Sequence, residues 1–191
     1  MKRSLALLLL ALFACKKSAP APAPDTAGKL RTALTSFFTA ESDNQRRAVG
    51  LWVADRASLE RLAQKRGLLS GLAGQDSTAI KDRLASMEMF FHIGANGSYR
   101  SMTIVKDQVG LAFGRLKSLK LGDKDQLYDA TIKGKTETTA KIRILRQGAA
   151  EKFIYEEGTD TIEATRETRT TAELVGIYAP RITLANPVPP G

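Results

Sequence analysis

From Glu88 onward the chain adopts a period of two and keeps it through residue 168. Glu88-Met89-Phe90-Phe91-His92-Ile93 leads into Ala95-Asn96-Gly97 and then Ser98 to Val105. Such alternation sends successive side chains to opposite faces of a strand. Asn96-Gly97 between two such runs predicts a hairpin with a type I′ turn, which needs positive φ at both central residues. Further strands are expected at about 110–121, 126–133, 136–145, 151–156 and 160–168. The breaks between them are short and polar: Lys106-Asp107-Gln108, Gly122 to Asp125, Lys133-Gly134-Lys135, Gln147-Gly148 and Glu157 to Asp160. Short connections make consecutive strands pair antiparallel as a meander. With one more strand at Ala48–Ala54 the set reaches about eight, enough to close a small barrel. Closure also removes the exposed edges that a long meander would present.

The helical signals come earlier. Leu30, Leu34, Phe37 and Phe38 form one apolar stripe, which predicts a helix over about 27–40. Asp55 or Ser58 can cap a helix over 58–66 carrying Leu59, Leu62 and Ala63 and stopping at Gly67. Leu68 to Gly74 reads as a glycine-broken loop. Asp76 or Ser77 can cap a third helix over 76–87 with Ile80, Leu84 and Met87 on one face. The fold class is therefore mainly β with added helices (α+β): an antiparallel up-and-down meander preceded by a helix, with a helical insertion between its first two strands.

Alternation also suggests inner faces. Tyr128, Ala130 and Ile132 share one, as do Ala140, Ile142 and Ile144, then Phe153 and Tyr155, then Ile162 and Ala164 with Arg166. The strand at 110–121 is ambiguous. Leu111 and Phe113 face one way, while Gly114 and Leu116 suggest a bulge. The inward set fits a solid core and a lined cavity equally well.

Gly50-Leu51-Trp52 opens the first strand, a helical insertion follows, and the meander completes the chain. Over residues 47–169 this resembles the lipocalins and the wider calycin group. The resemblance implies that Trp52 closes the barrel floor and that a basic side chain of the last strand packs across it, Arg166 by its face or Arg169. The two inserted helices are similar to the helical lid of fatty-acid-binding proteins. A small apolar or amphiphilic ligand, such as a fatty acid or lipid fragment, is the implied cargo. Arg100, on a face with Met102 and Ile104, and Arg115, on a face with Leu111 and Phe113, would meet its carboxylate or phosphate if they point inward. Tyr128 is a third candidate lining residue. The chain departs from the group by its leading helix, by having no disulfide, and by a short C-terminal helix at Ala172–Ala179 ended by Pro180. Two alternatives stay open: a filled barrel acting as an envelope scaffold, and a cone of helices on a curved sheet resembling the nuclear-transport-factor-like group.

Residues 1–15 resemble a bacterial lipoprotein signal. Lys2 and Arg3 precede the apolar run Leu5–Leu12, and Leu12-Phe13-Ala14-Cys15 matches a lipobox. The run is shorter than the roughly 20 residues that span a bilayer. The resemblance implies residues 1–14 as a cleaved signal peptide and acylation of Cys15 by palmitate-type chains. Residues 15–26 would be anchor and Pro/Ala-rich linker, and 27–191 a single domain. Lys16 in place of aspartate favours the outer membrane over the inner. Cys15 is the only cysteine, so the exported domain must stand on its core without disulfides. The formal charge of +9 does not signify nucleic acid, because the expected compartment is the periplasm and no aromatic platform interleaves the basic residues. Anionic envelope polymers, lipid headgroups or an envelope protein are the expected partners.

Little in the chain carries chemistry. His92 is the only histidine and has no cysteine or carboxylate cluster at ligand spacing, so no metal is expected. No Gly-x-Ser-x-Gly elbow occurs. Glu156-Glu157 and Asp160 flank a turn, and Gly94–Gly97 is a hairpin rather than a phosphate loop. The chain reads as a non-enzyme without a cofactor. The apolar residues after the last strand, Leu174 to Leu184, are expected to pack back on the barrel.

Overall fold

A computed structural model describes residues 24–65, 77–133 and 137–182. The signal, Cys15 and most of the linker lie outside the described residues, as do the 68–74 loop and the end of the chain. Eight strands form one closed barrel in sequence order: β1 (Gly50–Ala54), β2 (Met87–Ile93), β3 (Ser98–Val105), β4 (Gln108–Leu121), β5 (Asp125–Lys133), β6 (Thr138–Gln147), β7 (Ala150–Glu157) and β8 (Asp160–Arg166). Every neighbouring pair is antiparallel, and β1 pairs with both β2 and β8. That closure excludes the open cone. The helices are α1 (Pro24–Phe38), α2 (Arg56–Lys65), α3 (Ser77–Ala85) and α4 (Thr171–Tyr178). α2 and α3 form the expected insertion between β1 and β2.

Two apolar clusters hold the fold, one on each side of the wall. The inner one contains Trp52, Met89, Phe91, Tyr99, Tyr128, Ile142, Phe153, Tyr155 and Ile162, all essentially buried. The outer one joins Leu30, Leu34, Phe37 and Phe38 of α1 and Leu174 and Tyr178 of α4 to Leu51, Phe90, Met102 and Ile104 of the wall. Phe38 meets Phe90 edge-on at 5.3 Å and stacks on Tyr178 at 5.7 Å. Phe90 and Phe91 are adjacent in sequence and both buried because β2 is covered on both sides. Leu174, Val175, Tyr178 and Ile182 therefore pack back on the barrel, while Ile177 is exposed and Leu184 lies outside the described residues. Thr170 and Glu173 cap α4 reciprocally, which satisfies its first free amides.

α2 crosses the end of the barrel where β1 finishes. Asp55 Oδ2 accepts from the Ser58 amide at 3.3 Å, so Asp55 is the cap. Leu59, Leu62 and Ala63 join the inner cluster. Lys65 pairs with Asp160 at 3.2 Å and tethers the helix to the β7–β8 turn.

Three local expectations are corrected. The β2–β3 connection is a three-residue turn, because inside the Ile93↔Tyr99 pair the Gly94 amide donates to the Ser98 carbonyl at 3.0 Å and leaves only residues 95–97 in the loop. Only Gly97 has positive φ (77°), and its amide donates to the Gly94 carbonyl at 2.9 Å. This is a type I turn followed by a left-handed glycine, not type I′. The irregularity in β4 falls between Ser118 and Lys120 rather than at Gly114. Gly114 marks a close approach instead: a Cβ there would lie 2.3 Å from the Thr131 carbonyl oxygen. The third helix ends at Ala85, and Met87 is the first residue of β2, facing the interior.

Candidate functional site at the barrel floor

β1 and β8 build the floor together. Trp52 pairs directly with Arg166 across the ladder, so both side chains point inward at the same level. The Trp52 indole is fully buried and donates to the Ala48 carbonyl at 2.8 Å. The Arg166 guanidinium lies over the indole with Cζ 3.9 Å from the ring centroid, a close cation–π contact. Its Nη1 donates to the Val49 carbonyl at 2.6 Å and its Nη2 to the Arg47 carbonyl. Glu151 on β7 completes the arrangement with an ion pair to Arg166 at 3.0 Å. Burial pulls the Arg166 pKa below its ordinary value, and Glu151 opposes that shift.

Gly50 belongs to the same unit. Its φ is +134°, outside the range of L side chains, and a Cβ would sit 2.1 Å from Arg166 Nη1. The glycine is the opening through which the guanidinium reaches the Val49 carbonyl. Gly50, Trp52 and Arg166 are thus brought together as the resemblance implied. Arg169, the alternative, stands elsewhere, paired with Glu167 at 2.7 Å and with Glu88 beside α4.

The other candidates lie apart. Tyr128 is inside and near the floor, but its hydroxyl donates to Gln126 Oε1 at 2.5 Å. Gln126 in turn holds the 41–49 segment through the Arg47 amide and the Gln45 carbonyl. Its role there is to lock that segment onto β5. Arg100 and Arg115 do not point inward. Tyr99, Ser101 and Thr103 take the interior positions of β3, so Arg100 falls outside with Met102 and Ile104. Arg100 lies 5.7 Å from the Phe37 ring centroid, and its Nε donates to His92 Nδ1 at 3.1 Å. Arg115 is exposed on the outer face of β4. A small apolar hollow of about 60 Å³ separates α1 from the wall, lined by Leu30, Leu34, Phe37, Arg100, Leu111 and Phe113.

His92 is 2 % exposed. Burial, and then the charge of Arg100, push its pKa down to about 4, so it is neutral and accepts from the guanidinium. Among the described residues no group of three His, Cys, Asp or Glu could hold a metal ion.

Inside the barrel, aromatic rings stack from the floor upward. Trp52 meets Phe153 at 5.2 Å, Phe153 meets Phe91 at 5.0 Å, Phe91 meets Tyr155 at 5.4 Å, and Tyr155 meets Tyr99 at 6.3 Å. Tyr155 donates to Glu157 at 3.0 Å. The buried Tyr99 hydroxyl lies with those of Ser101 and Tyr155 in one small polar cluster.

The sequence reading passed over the neighbours that complete the floor, Arg146 and Glu151. The signal was present: the alternation that puts Ile142 and Ile144 inside continues to Arg146, and that of Phe153 and Tyr155 runs back to Glu151. Arg146 and Glu151 stand directly opposite each other in the β6–β7 ladder.

The fold defines a closed up-and-down barrel, sealed at one end by an arginine–tryptophan stack and crossed at the other by a helix. Comparison with known proteins gave no match to any family model, curated protein or solved structure.

Proposed function

We propose that this chain is a lipid-anchored protein of the bacterial cell envelope whose barrel is a solid, non-catalytic module that binds through its outer surface. The anchor rests on the lipobox-like Leu12-Phe13-Ala14-Cys15. The solid module is supported by one observation: the inner residues from Trp52 through Phe153, Phe91 and Tyr155 to Ile162 are fully buried and in contact. An eight-stranded barrel is just wide enough to be filled by its side chains.

A lipocalin-like reading, in which the barrel holds a small amphiphilic molecule under α2, is favoured by a different observation. The buried Tyr99 and Ser101 hydroxyls form, with Tyr155, a small polar cluster in an otherwise apolar interior, and a ligand's polar group would bond there. The partners of Tyr99 and Ser101 on β4 are the small residues Gly114 and Ala112. Fatty-acid carboxylates fit this interior poorly, since both Arg100 and Arg115 lie outside it.

Native mass spectrometry of residues 16–191, exported without the lipid, separates the two. A mass equal to the polypeptide alone, unchanged after incubation with fatty acids and phospholipids, is expected. A co-purified molecule released on denaturation would refute the solid module and identify the ligand class. For the anchor, labelled palmitate should enter the full chain and fail to enter Cys15→Ser. Equal labelling of both would refute acylation at Cys15.

A further inference from the structure

We infer that the hollow at the barrel floor is a binding site for a phosphate-bearing group, held by Arg146 and Arg166. The site rests on the reading of the barrel as a module that works through its outside.

The hollow is open to solvent and has a volume of about 700 Å³, and Arg47, Arg146, Glu151 and Arg166 line it together. Three of these come from the ends of consecutive strands, at positions that would otherwise point into the barrel. Their charges do not cancel. Glu151 is the one carboxylate shared by two guanidiniums, Arg166 at 3.0 Å and Arg47 at 3.3 Å. Asp43, which also lines the hollow, is committed to Arg46 at 2.7 Å and to the amides of Gln45 and Arg46. Arg46, off the lining, neutralises Asp43, so Arg47, Arg146 and Arg166 stand against Glu151 alone, a surplus of two positive charges. The adjoining Asp123 and Lys124 offset each other.

Arg146 is the uncommitted member. It is exposed, and its one hydrogen bond from the guanidinium is a long 3.4 Å contact to the Gly148 carbonyl of its own turn. It stands opposite Glu151 without forming an ion pair among the described residues. Arg47 adds a second unmet demand, since its Nη2 is buried with no partner. Exposed hydroxyls of Ser42 and Thr168 stand on the same lining. Guanidiniums bind phosphate oxygens in bidentate fashion. A phosphomonoester carries about −1.5 to −2 charges at neutral pH, which matches the surplus. A single carboxylate would leave one positive charge unmatched.

Trp52 supplies the readout. It is the only tryptophan, and Arg166 covers its ring at 3.9 Å. A phosphate that draws on Arg166 must alter the indole's surroundings. The experiment titrates residues 16–191 with inorganic phosphate at constant ionic strength, following Trp52 emission and heat by calorimetry. Constant ionic strength removes the screening effect of added salt. The expected result is saturable binding with a matching change in emission, weakened at least ten-fold in Arg146→Ala, and no response to acetate. Thermal unfolding of Arg146→Ala should equal that of the parent, because the side chain supports nothing else. Vesicles of phosphatidylcholine with and without phosphatidic acid, whose headgroup is a phosphomonoester, identify the source: sedimentation with the acid-bearing vesicles alone, lost in Arg146→Ala, assigns the group to a lipid headgroup. Absence of both heat and emission change with phosphate, or full binding by Arg146→Ala, would overturn the site. That failure would leave a clean polypeptide mass untouched, whereas a co-purified interior molecule would refute the solid module and leave the titration to judge the floor.

Discussion

Substituting Gly50 by alanine tests whether glycine, arginine and tryptophan form one unit at the floor. Two costs are built into the geometry. Alanine at φ +134° is strained by about 1–3 kcal/mol. Its Cβ would also occupy a point 2.1 Å from Arg166 Nη1, so the guanidinium must leave. Leaving forfeits the bonds to the Val49 and Arg47 carbonyls, the Glu151 pair and the cover over Trp52. Bonds to a charged group are worth about 1.5–3 kcal/mol each when buried. Arg166 keeps 37 % of its side chain exposed, so solvent screening brings the whole loss to about 2 kcal/mol. Gly50→Ala should thus cost about 3–5 kcal/mol and Arg166→Ala about 2 kcal/mol. The decisive quantity is the double variant. Once Gly50→Ala has expelled the guanidinium, removing it adds almost nothing, so the double variant should match Gly50→Ala within about 0.5 kcal/mol. Urea unfolding followed by far-ultraviolet circular dichroism and by Trp52 emission gives all three values. Strict additivity of the two single costs would show that the residues act independently and refute the reasoning.

Two further predictions concern the wall. His92 is neutral in the fold with its pKa pushed down to about 4, against an ordinary 6.5; the unfolded chain therefore binds the proton first, and the His92 contribution to stability should be level above pH 6.5 and fall as pH drops from 6.5 to 4, by about 3 kcal/mol in total, while the lowered carboxyls of Asp43, Glu167 and Glu173 carry any further loss in more acid solution. His92→Gln, which keeps an acceptor for Arg100, should remove that slope in a pH series of urea midpoints; an unchanged slope in the variant would assign it to other groups. Gly114→Ala places a Cβ 2.3 Å from the Thr131 carbonyl oxygen, a backbone atom that cannot swing aside, so it should cost about 1–3 kcal/mol as overpacking does; a thermal midpoint equal to the parent's would mean that β4 and β5 separate freely there.

The barrel was legible because one face of nearly every strand is buried, which fixes the period and hence the strand bounds. The turn at Asn96-Gly97 was legible as a hairpin but not in its type, since Asn-Gly suits a two-residue turn and also the end of a three-residue one. The register Ile93↔Tyr99 decides between them, and register is a property of two strands at once. Alternation likewise told that Arg100, Met102 and Ile104 share a face, but not which face is the inside. Both faces of β2 and β3 are mostly buried and carry apolar residues, and only the partner of α1's stripe resolves the choice. That stripe, Leu30 to Phe38, needed an apolar surface, and the outer wall supplies it, which sends Arg100 outward. The floor was half legible for the same reason. Gly50 and Trp52 are neighbours in sequence, whereas Arg146, Glu151 and Arg166 lie on three strands and meet only when the ladders are aligned. Once they are, the inner face changes from Ile144 and Phe153 to Arg146 and Glu151 within a single step along β6 and β7. Charge at inward positions is tolerable only where water reaches, so this change marks the end of the barrel. Packed aromatic rings occupy the middle, and the groups still able to make new bonds collect at the rim. A search for what this protein binds therefore begins at the floor.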